Sequence, residues 1–571
     1  MMLNRTKAVS ILQHPISLAI LFFFLSMGIH LIGIDTLSLT SDECFSIYHA
    51  QMSPRLIYFH LSTGNNPPLH EWILHYWMLW FGDSAFAVRF LSLIFSSLTT
   101  ALIFLLGTQI SEGFATHKTN LGNSGVPNID KSNFEPYPTK EWRTGDLVAN
   151  SSIGMIAAIL FLASNYSTFL AHEARTYNLT LFLGVLSTIL FTTAIQSGKI
   201  KYFLLYGLIG GLLCLSHFFG IWILLAHGSF WLFTWGFQAS KENPPAIKSI
   251  GWAVMGSGIA FGWYIPNLWY RFVYSASQGT WVNPAPWNAP YLTLWKYLNT
   301  PLATISAISL LIYLPFYLFK NKANPSIRYQ ILVFWIFALP FFGQWLLSLD
   351  HPFSIPMFTE RYAGITLPFL CLSLSVSLLS LPLSLGKHIS AIKTITIISL
   401  MMLGRSFTPP NQASAKEALQ TAKVSLGANW SKTPIVLEPY HSAFQVLYYA
   451  DHNRFKQYQF KQCQPQFLYD HLASQLRHSN IWILKSNNSL DSLGLSQKNQ
   501  LGYLHFGSDR SSHTIQIESQ LKQLADVQFN TNQSKPATRG EIKRISIQIP
   551  EYIWGNTKIA ADADFWLIEK K

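Results

Sequence analysis

The sequence predicts a mainly α-helical, polytopic transmembrane bundle of about eleven spans, followed by a small α/β domain. Composition is the first reason. The 571-residue chain is 50% hydrophobic and 15% aromatic but only 12% charged, against about 25% charged residues in soluble domains. The second is uneven charge: residues 1–404 hold 21 Lys/Arg and 14 Asp/Glu, while the much shorter stretch 405–571 holds 19 and 13. The third is a succession of apolar runs close to the ~20 residues that a span requires. Together they divide the chain into a membrane domain, 1–404, and a soluble domain of ordinary size, 405–571.

The runs lie at roughly 16–35, 88–109, 151–170, 178–196, 202–219, 221–237, 250–268, 300–319, 329–348, 361–383 and 388–404. The N-terminal MMLNRTKAVS followed by an apolar stretch is read as an uncleaved first helix, because no small-residue cleavage site follows it. PPLHEWILHYWMLWFG (67–82) is short and interrupted by His70, Glu71 and His75, which predicts a helix in the membrane interface rather than a span.

Charge checks that choice. With the N-terminus cytoplasmic, 15 of the first 21 Lys/Arg fall inside, the bias expected of cytoplasmic loops. A spanning 67–82 would invert every later loop. The outer side then holds the first loop, 36–87, and the tail, while residues 111–150 form a mobile cytoplasmic insertion. Inside, Lys outnumbers Arg twelve to three; outside, five of six basic residues are Arg. Arg presents a planar fork that matches phosphate oxygens, whereas Lys is a hydrated point charge. The competing account is that these Arg side chains snorkel at helix ends.

The net charge of +13 is spread over loops and tail, which records topology and excludes nucleic-acid binding as a reading. Four cysteines, Cys44, Cys214, Cys371 and Cys463, make no paired framework. In the tail, TPIVLEPYHSAFQVLYYA (433–450) reads as strand, turn and amphipathic helix, and FLYDHLASQLRHSNIWILKSN (467–487) as helix then strand, an α/β alternation.

Four short motifs gather at the outer ends of the predicted spans: SDECFSIYHAQ (41–51), NNPPLHEWILHYW (65–77), AHEARTYNLTLFL (171–183) and TERYAGITLPFL (359–370). Each acid alone reads equally as a helix cap or ion pair. Their order resembles the GT-C superfamily of polyprenyl-phosphate-sugar-dependent glycosyltransferases: Asp-Glu after the first helix, Pro-Pro-Leu, Phe-Gly-Asp-Ser, Glu-Ala-Arg-x-Tyr, then Arg-Tyr before a late span. The nearest branches are the bacterial relatives of dolichyl-phosphate-mannose-protein mannosyltransferases and the lipid A aminoarabinose transferases. The resemblance covers 1–404 in topology and is most specific over 35–110 and 160–185.

The resemblance implies that Asp42 is the catalytic carboxylate, with Glu43 beside it. It implies further that Glu173 is the second acidic position, and that Arg175, Tyr177, Arg361 and Tyr362 lie near the lipid phosphate. In some relatives the second acid helps hold a divalent metal, so Asp42 and Glu173 are the candidate pair here. His217 in SHFFG is either a substrate contact or a hydrogen-bonded interfacial histidine. The aromatic stretch 268–287 either stacks on sugar rings or forms an interfacial belt. Asn66, Cys44 and Ala171–His172 depart from the residues that family members often carry there, which bears on acceptor choice.

The implied reaction is transfer from a polyprenyl-phosphate sugar to an extracytoplasmic hydroxyl on a glycolipid, polysaccharide or protein, at a bacterial inner membrane. The lipid carrier, the acceptor and the membrane are the expected partners. A carboxylate within reach of the attacking hydroxyl accepts its proton, and fixed guanidinium groups stabilise charge on the departing phosphate. The rival reading is a polytopic transporter or flippase of lipid-linked glycans, which places ionisable groups at the midplane rather than at one face.

Overall fold

The computed structural model describes residues 15–569 except 63–65, 121–143, 238–246, 279–281, 323–326, 353, 381–388, 406–414, 439–441, 457–467, 484–493, 496–499, 507–516, 518, 522–540, 548–551, 555–556 and 560–562. Two compact units emerge, and the first loop is shared between them. One unit gathers 1–34, 61–70 and 89–409; the other gathers 35–60, 71–88 and 410–571.

The first unit is helical. Among the described residues, five helices are long and apolar enough to cross a membrane: Ala85–Ser111, Tyr177–Ser197, Pro301–Lys320, Ile327–Ser348 and Glu360–Ser380. A sixth is counted if Ser151–Ala163 and Asn165–Ala171, bent by 71°, form one span. The chain is a multi-pass membrane protein. Four shorter apolar helices, Pro15–Leu31, Ile200–Ser216, Phe218–Phe233 and Ala391–Leu403, occupy further expected positions. Their shortness sets them apart from the five or six full-length helices. A 17-residue helix rises ~25 Å, short of a ~30 Å hydrocarbon core.

The expected span at 250–268 is instead helix Ile247–Phe261, a 3₁₀ turn at Gly262–Tyr264 and a second helix, Ile265–Gln278. Much of the stretch 268–287 is therefore helical rather than loop. The insertion 111–150 begins and ends in helix, since Ala85–Asn120 and Thr144–Ala163 run into it; its centre lies outside the described residues.

Close packing in this unit depends on small residues. Phe22 stacks on Phe104 at 5.2 Å between ring centroids, within a core that includes Ala19, Ala101, Ala158 and Leu162. Helix Ile200–Ser216 lies against Ile247–Phe261 so closely that a Cβ at Gly207 would strike the Ala253 carbonyl. Ser257 Oγ donates to the Gly207 carbonyl at 3.0 Å.

The second unit contains a five-stranded sheet of order β2-β1-β3-β5-β4, with β1 Ile435–Glu438, β2 Ile481–Ile483, β3 Gln500–Phe506, β4 Glu541–Ile547 and β5 Ala563–Glu569. β1 runs parallel to β2 and β3, while β5 is antiparallel to both β3 and β4. The parallel half carries its crossovers as helices, Ala443–Ala450 and Leu468–Arg477 between β1 and β2. This is the α/β pattern expected of 433–487. β1 is buried at all four positions, as a strand flanked by neighbours on both edges must be.

Candidate functional site

In the first unit the chemistry-bearing residues collect where helices break. Helix Thr144–Ala163 ends at Ser164, and a 71° bend starts the short helix Asn165–Ala171. A bend of that size frees carbonyls that hydrocarbon cannot solvate. Side chains distant in sequence accept them. Asn299 Nδ2 donates to the Ala163 carbonyl at 2.7 Å and to the Met401 carbonyl at 2.9 Å, while its Oδ1 accepts from Asn165 N at 2.8 Å. Arg405 donates to the Ser164 carbonyl and to Thr168 Oγ1, and burial pulls its guanidinium down to about 10, still protonated at neutral pH. Ser164 Oγ donates to the Tyr297 carbonyl at 2.7 Å.

The segment so anchored leads directly into Glu173 and Arg175, both buried. The Arg175 N–H donates back to the Glu173 carbonyl at 2.8 Å, a tight turn between the two residues. Arg361 Nη2 lies 3.5 Å from Glu173 Oε1, and its guanidinium sits 5.8 Å from the Phe169 ring centroid. The helix bearing Arg361 starts because Thr359 Oγ1 accepts from the Tyr362 N–H at 3.2 Å. Next to it, Lys296 Nζ contacts Glu360 Oε1 at 3.0 Å and Tyr297 Oη donates to the Glu360 carbonyl at 2.7 Å.

Arg361 and Tyr362 line a small cleft with Tyr177, Thr180, His217 and Phe219. Tyr362 stacks on Phe219 at 4.5 Å and tilts against His217 at 5.3 Å. His217 occupies the extended residue between helix Ile200–Ser216 and the turn Phe218–Gly220. Its Nδ1 accepts from the Phe219 N–H at 3.2 Å, so the neutral ring carries its proton on Nε2 and presents a donor there. Thr176 Oγ1 donates to the Ser216 carbonyl at 2.7 Å, tying the Glu173–Tyr177 segment to the same helix end. Five of the expected residues, Glu173, Tyr177, His217, Arg361 and Tyr362, are thus brought together, with Arg175 buried on the same turn as Glu173.

Asp42 and Glu43 belong to the second unit, and the structure treats them differently. Both lie in the first turn of helix Ser41–Ala50. Asp42 is exposed and Glu43 fully buried. Thr40 N donates to Glu43 Oε2 at 2.8 Å while Thr40 Oγ1 accepts from Glu43 N at 3.3 Å, a reciprocal capping box. On the same helix Ser46 Oγ donates to Glu71 Oε1 at 2.8 Å. Glu71, which the sequence marks only as an interruption of the apolar run 67–82, is a buried carboxylate of the helix Leu69–Phe81. Asn299 and Arg405 are identified by tertiary contact alone.

Asp42 and Glu173, the pair considered for a divalent cation, fall in different units. Glu173 Oε1 faces the Arg361 cation. Among the described residues no group of three or more His, Cys, Asp or Glu could hold an ion. Cys44, Cys214 and Cys371 are buried cysteines outside any disulfide, and Cys463 lies outside the described residues.

No family model and no curated protein matches the chain. Among solved structures, it is similar to ArnT from Cupriavidus metallidurans in the apo state, with 10% identity over 96% of this chain and 97% of that one and a TM-score of 0.46. The undecaprenyl-phosphate-bound form of that protein gives a TM-score of 0.44 at the same identity and coverage. The apo Archaeoglobus fulgidus oligosaccharyltransferase gives 0.44 at 10% identity, over 75% of this chain and 63% of that one. No residue role or activity follows from overlap at that level.

Proposed function

We propose that this chain is a membrane glycosyltransferase that moves a hexosyl or pentosyl group from a polyprenyl-phosphate carrier to an acceptor hydroxyl, with inversion. The observation that carries the reading is the cleft at the broken helices. There, Arg361, which faces the buried Glu173, lines a small cleft with Tyr177, His217 and Tyr362, and Arg175 is buried on the same turn as Glu173. A guanidinium has five N–H donors, so one Arg can serve a carboxylate and a phosphate together. The order of the four motifs, which resembles GT-C enzymes, supports the same reading.

The acceptor oxygen attacks the anomeric carbon as the bond from that carbon to the phosphate oxygen breaks, and the electron pair remains on the lipid phosphate. Asp42, exposed on the first turn of its helix, takes the acceptor proton, a contribution of roughly 10²–10⁴-fold. Unlike a glycosidase leaving group, the phosphate departs without protonation. The Arg groups stabilise the charge that develops on it, each such donor contributing about 10²–10³-fold in a poorly hydrated site. Glu43 shapes the helix start rather than sharing the proton.

The active side is extracytoplasmic on this reading. The positive-inside bias of residues 1–404 supports it, and the tail, 405–571, then lies outside a bacterial inner membrane. The partners are the carrier lipid and a glycolipid, polysaccharide or protein acceptor. The test is to compare glycolipids and surface glycans, by mass spectrometry, from cells with the parent chain and with Asp42→Asn at equal protein level. A missing sugar on one glycan class is expected. Identical glycan profiles overturn the reading.

A further inference from the structure

The tail domain does more than follow the membrane domain. Segments 35–60 and 71–88, which contain Asp42, belong to the same compact unit as residues 410–571. The contact is specific. Just before helix Ser41–Ala50, both backbone groups of Leu39 are held by one tail helix, Ala443–Ala450. Tyr449 Oη accepts from the Leu39 N–H at 2.6 Å, and Gln445 Nε2 donates to the Leu39 carbonyl at 2.6 Å. Leu39 precedes the Thr40 cap, so the two bonds set the direction in which the helix leaves.

Packing fixes the rest of that helix. Phe444 meets Phe45 edge-on at 5.4 Å and Tyr48 at 5.0 Å, and Phe455 adds a 5.5 Å contact to Tyr48. The far end of the loop is pinned too: Tyr448 Oη donates to the Asp83 carbonyl at 3.1 Å, and Lys456 Nζ lies 3.0 Å from Asp83 Oδ1. A buried backbone N–H and C=O must be paired. Here the partners for one residue come from more than 400 positions away, so they constrain the loop in a way that local sequence cannot.

We propose that Gln445 and Tyr449 are positioning residues for Asp42, and that the α/β tail is a clamp that aims the proton-accepting helix. The inference rests on the reading of Asp42 as the base. A displacement of ~1 Å at a reacting group lowers turnover by up to ~10²-fold. Removing the clamp should therefore lower kcat while leaving the KM for the carrier-linked donor near its parent value.

The experiment uses the full-length chain in lipid nanodiscs, with Gln445→Met, Tyr449→Phe and the double variant. Tyr503→Phe, which breaks the 2.8 Å bond to Glu438 inside the same domain, controls for general loosening of the tail. Hydrogen exchange at residues 39–44 is read alongside turnover. The expected result is at least tenfold faster exchange there and a fall in kcat for the double variant, with neither change in Tyr503→Phe. Unchanged exchange at 39–44 overturns the clamp, whatever the activity. Faster exchange with unchanged kcat overturns its positioning role. Should Asp42→Asn itself retain turnover, the general-base reading fails separately, and the exchange result still stands.

Discussion

Glu43 and Thr40 close on one another, side chain to backbone in both directions, at 2.8 and 3.3 Å. This splits the adjacent acids Asp42 and Glu43 into an exposed carboxylate and a buried capping group. A capping box accepts Gln as well as Glu at the third helical position, because an amide oxygen receives the same N–H. Glu43→Gln should therefore leave turnover close to that of the parent, while Glu43→Ala loses about 1 kcal/mol of stability. Asp42→Asn should lower turnover by about 10²–10⁴-fold. Turnover of purified variants checks the split. If Glu43→Gln is dead and Asp42→Asn active, the roles are reversed.

Buried Glu173 and partly exposed Arg361 lie 3.5 Å apart. Removing the guanidinium takes charge compensation away from a buried carboxylate, which is destabilising. Arg361→Met should lower the thermal midpoint sharply. Combining it with Glu173→Gln should restore much of that loss but no turnover, since the guanidinium remains absent. A double variant that is both stable and active would show the pair to be a structural bridge only.

Asn299 holds a left-handed backbone, φ 68°, while its side chain caps the Ala163 and Met401 carbonyls. Asn299→Leu removes both donors and adds backbone strain. Leaving a buried carbonyl unpaired costs about 1–3 kcal/mol each. The expected outcome is a strongly destabilised protein, read as a lower thermal midpoint. A midpoint like the parent's would remove Asn299 from the break.

Gly256 and Gly258 make a matched test of helix contact. A Cβ at Gly256 would collide with the Leu204 carbonyl and lie 2.8 Å from Leu208 N, whereas one at Gly258 meets nothing within 4 Å. Gly256→Ala should separate helices Ile200–Ser216 and Ile247–Phe261 and lower the thermal midpoint. Gly258→Ala should raise stability by roughly 0.5–1 kcal/mol through helix propensity. Equal effects at both positions would contradict the close approach.

Several features were legible without coordinates because they are local. Apolar runs mark the helices, and the described helices begin or end within a few residues of the expected spans, from Pro15–Leu31 to Ile389–Leu403. The strand–helix alternation of 433–487 reappears as Ile435–Glu438, Ala443–Ala450, Leu468–Arg477 and Ile481–Ile483. Even the capping box was written in the chain, as Thr40 followed three residues later by Glu43, although a pair of adjacent acids draws the eye to chemistry first.

Hydropathy and local spacing act over a few turns, so the chain alone announces its membrane class, most of its helices and the residue types available for chemistry. Tertiary structure alone decided that Arg361 meets Glu173 across 188 residues of chain, that Asn299 and Arg405 seal the bend at Ser164, and that Leu39 is held by Gln445 and Tyr449. Those choices arise where a backbone group or charge, cut off from water, must find its partner wherever the fold brings one within about 3 Å.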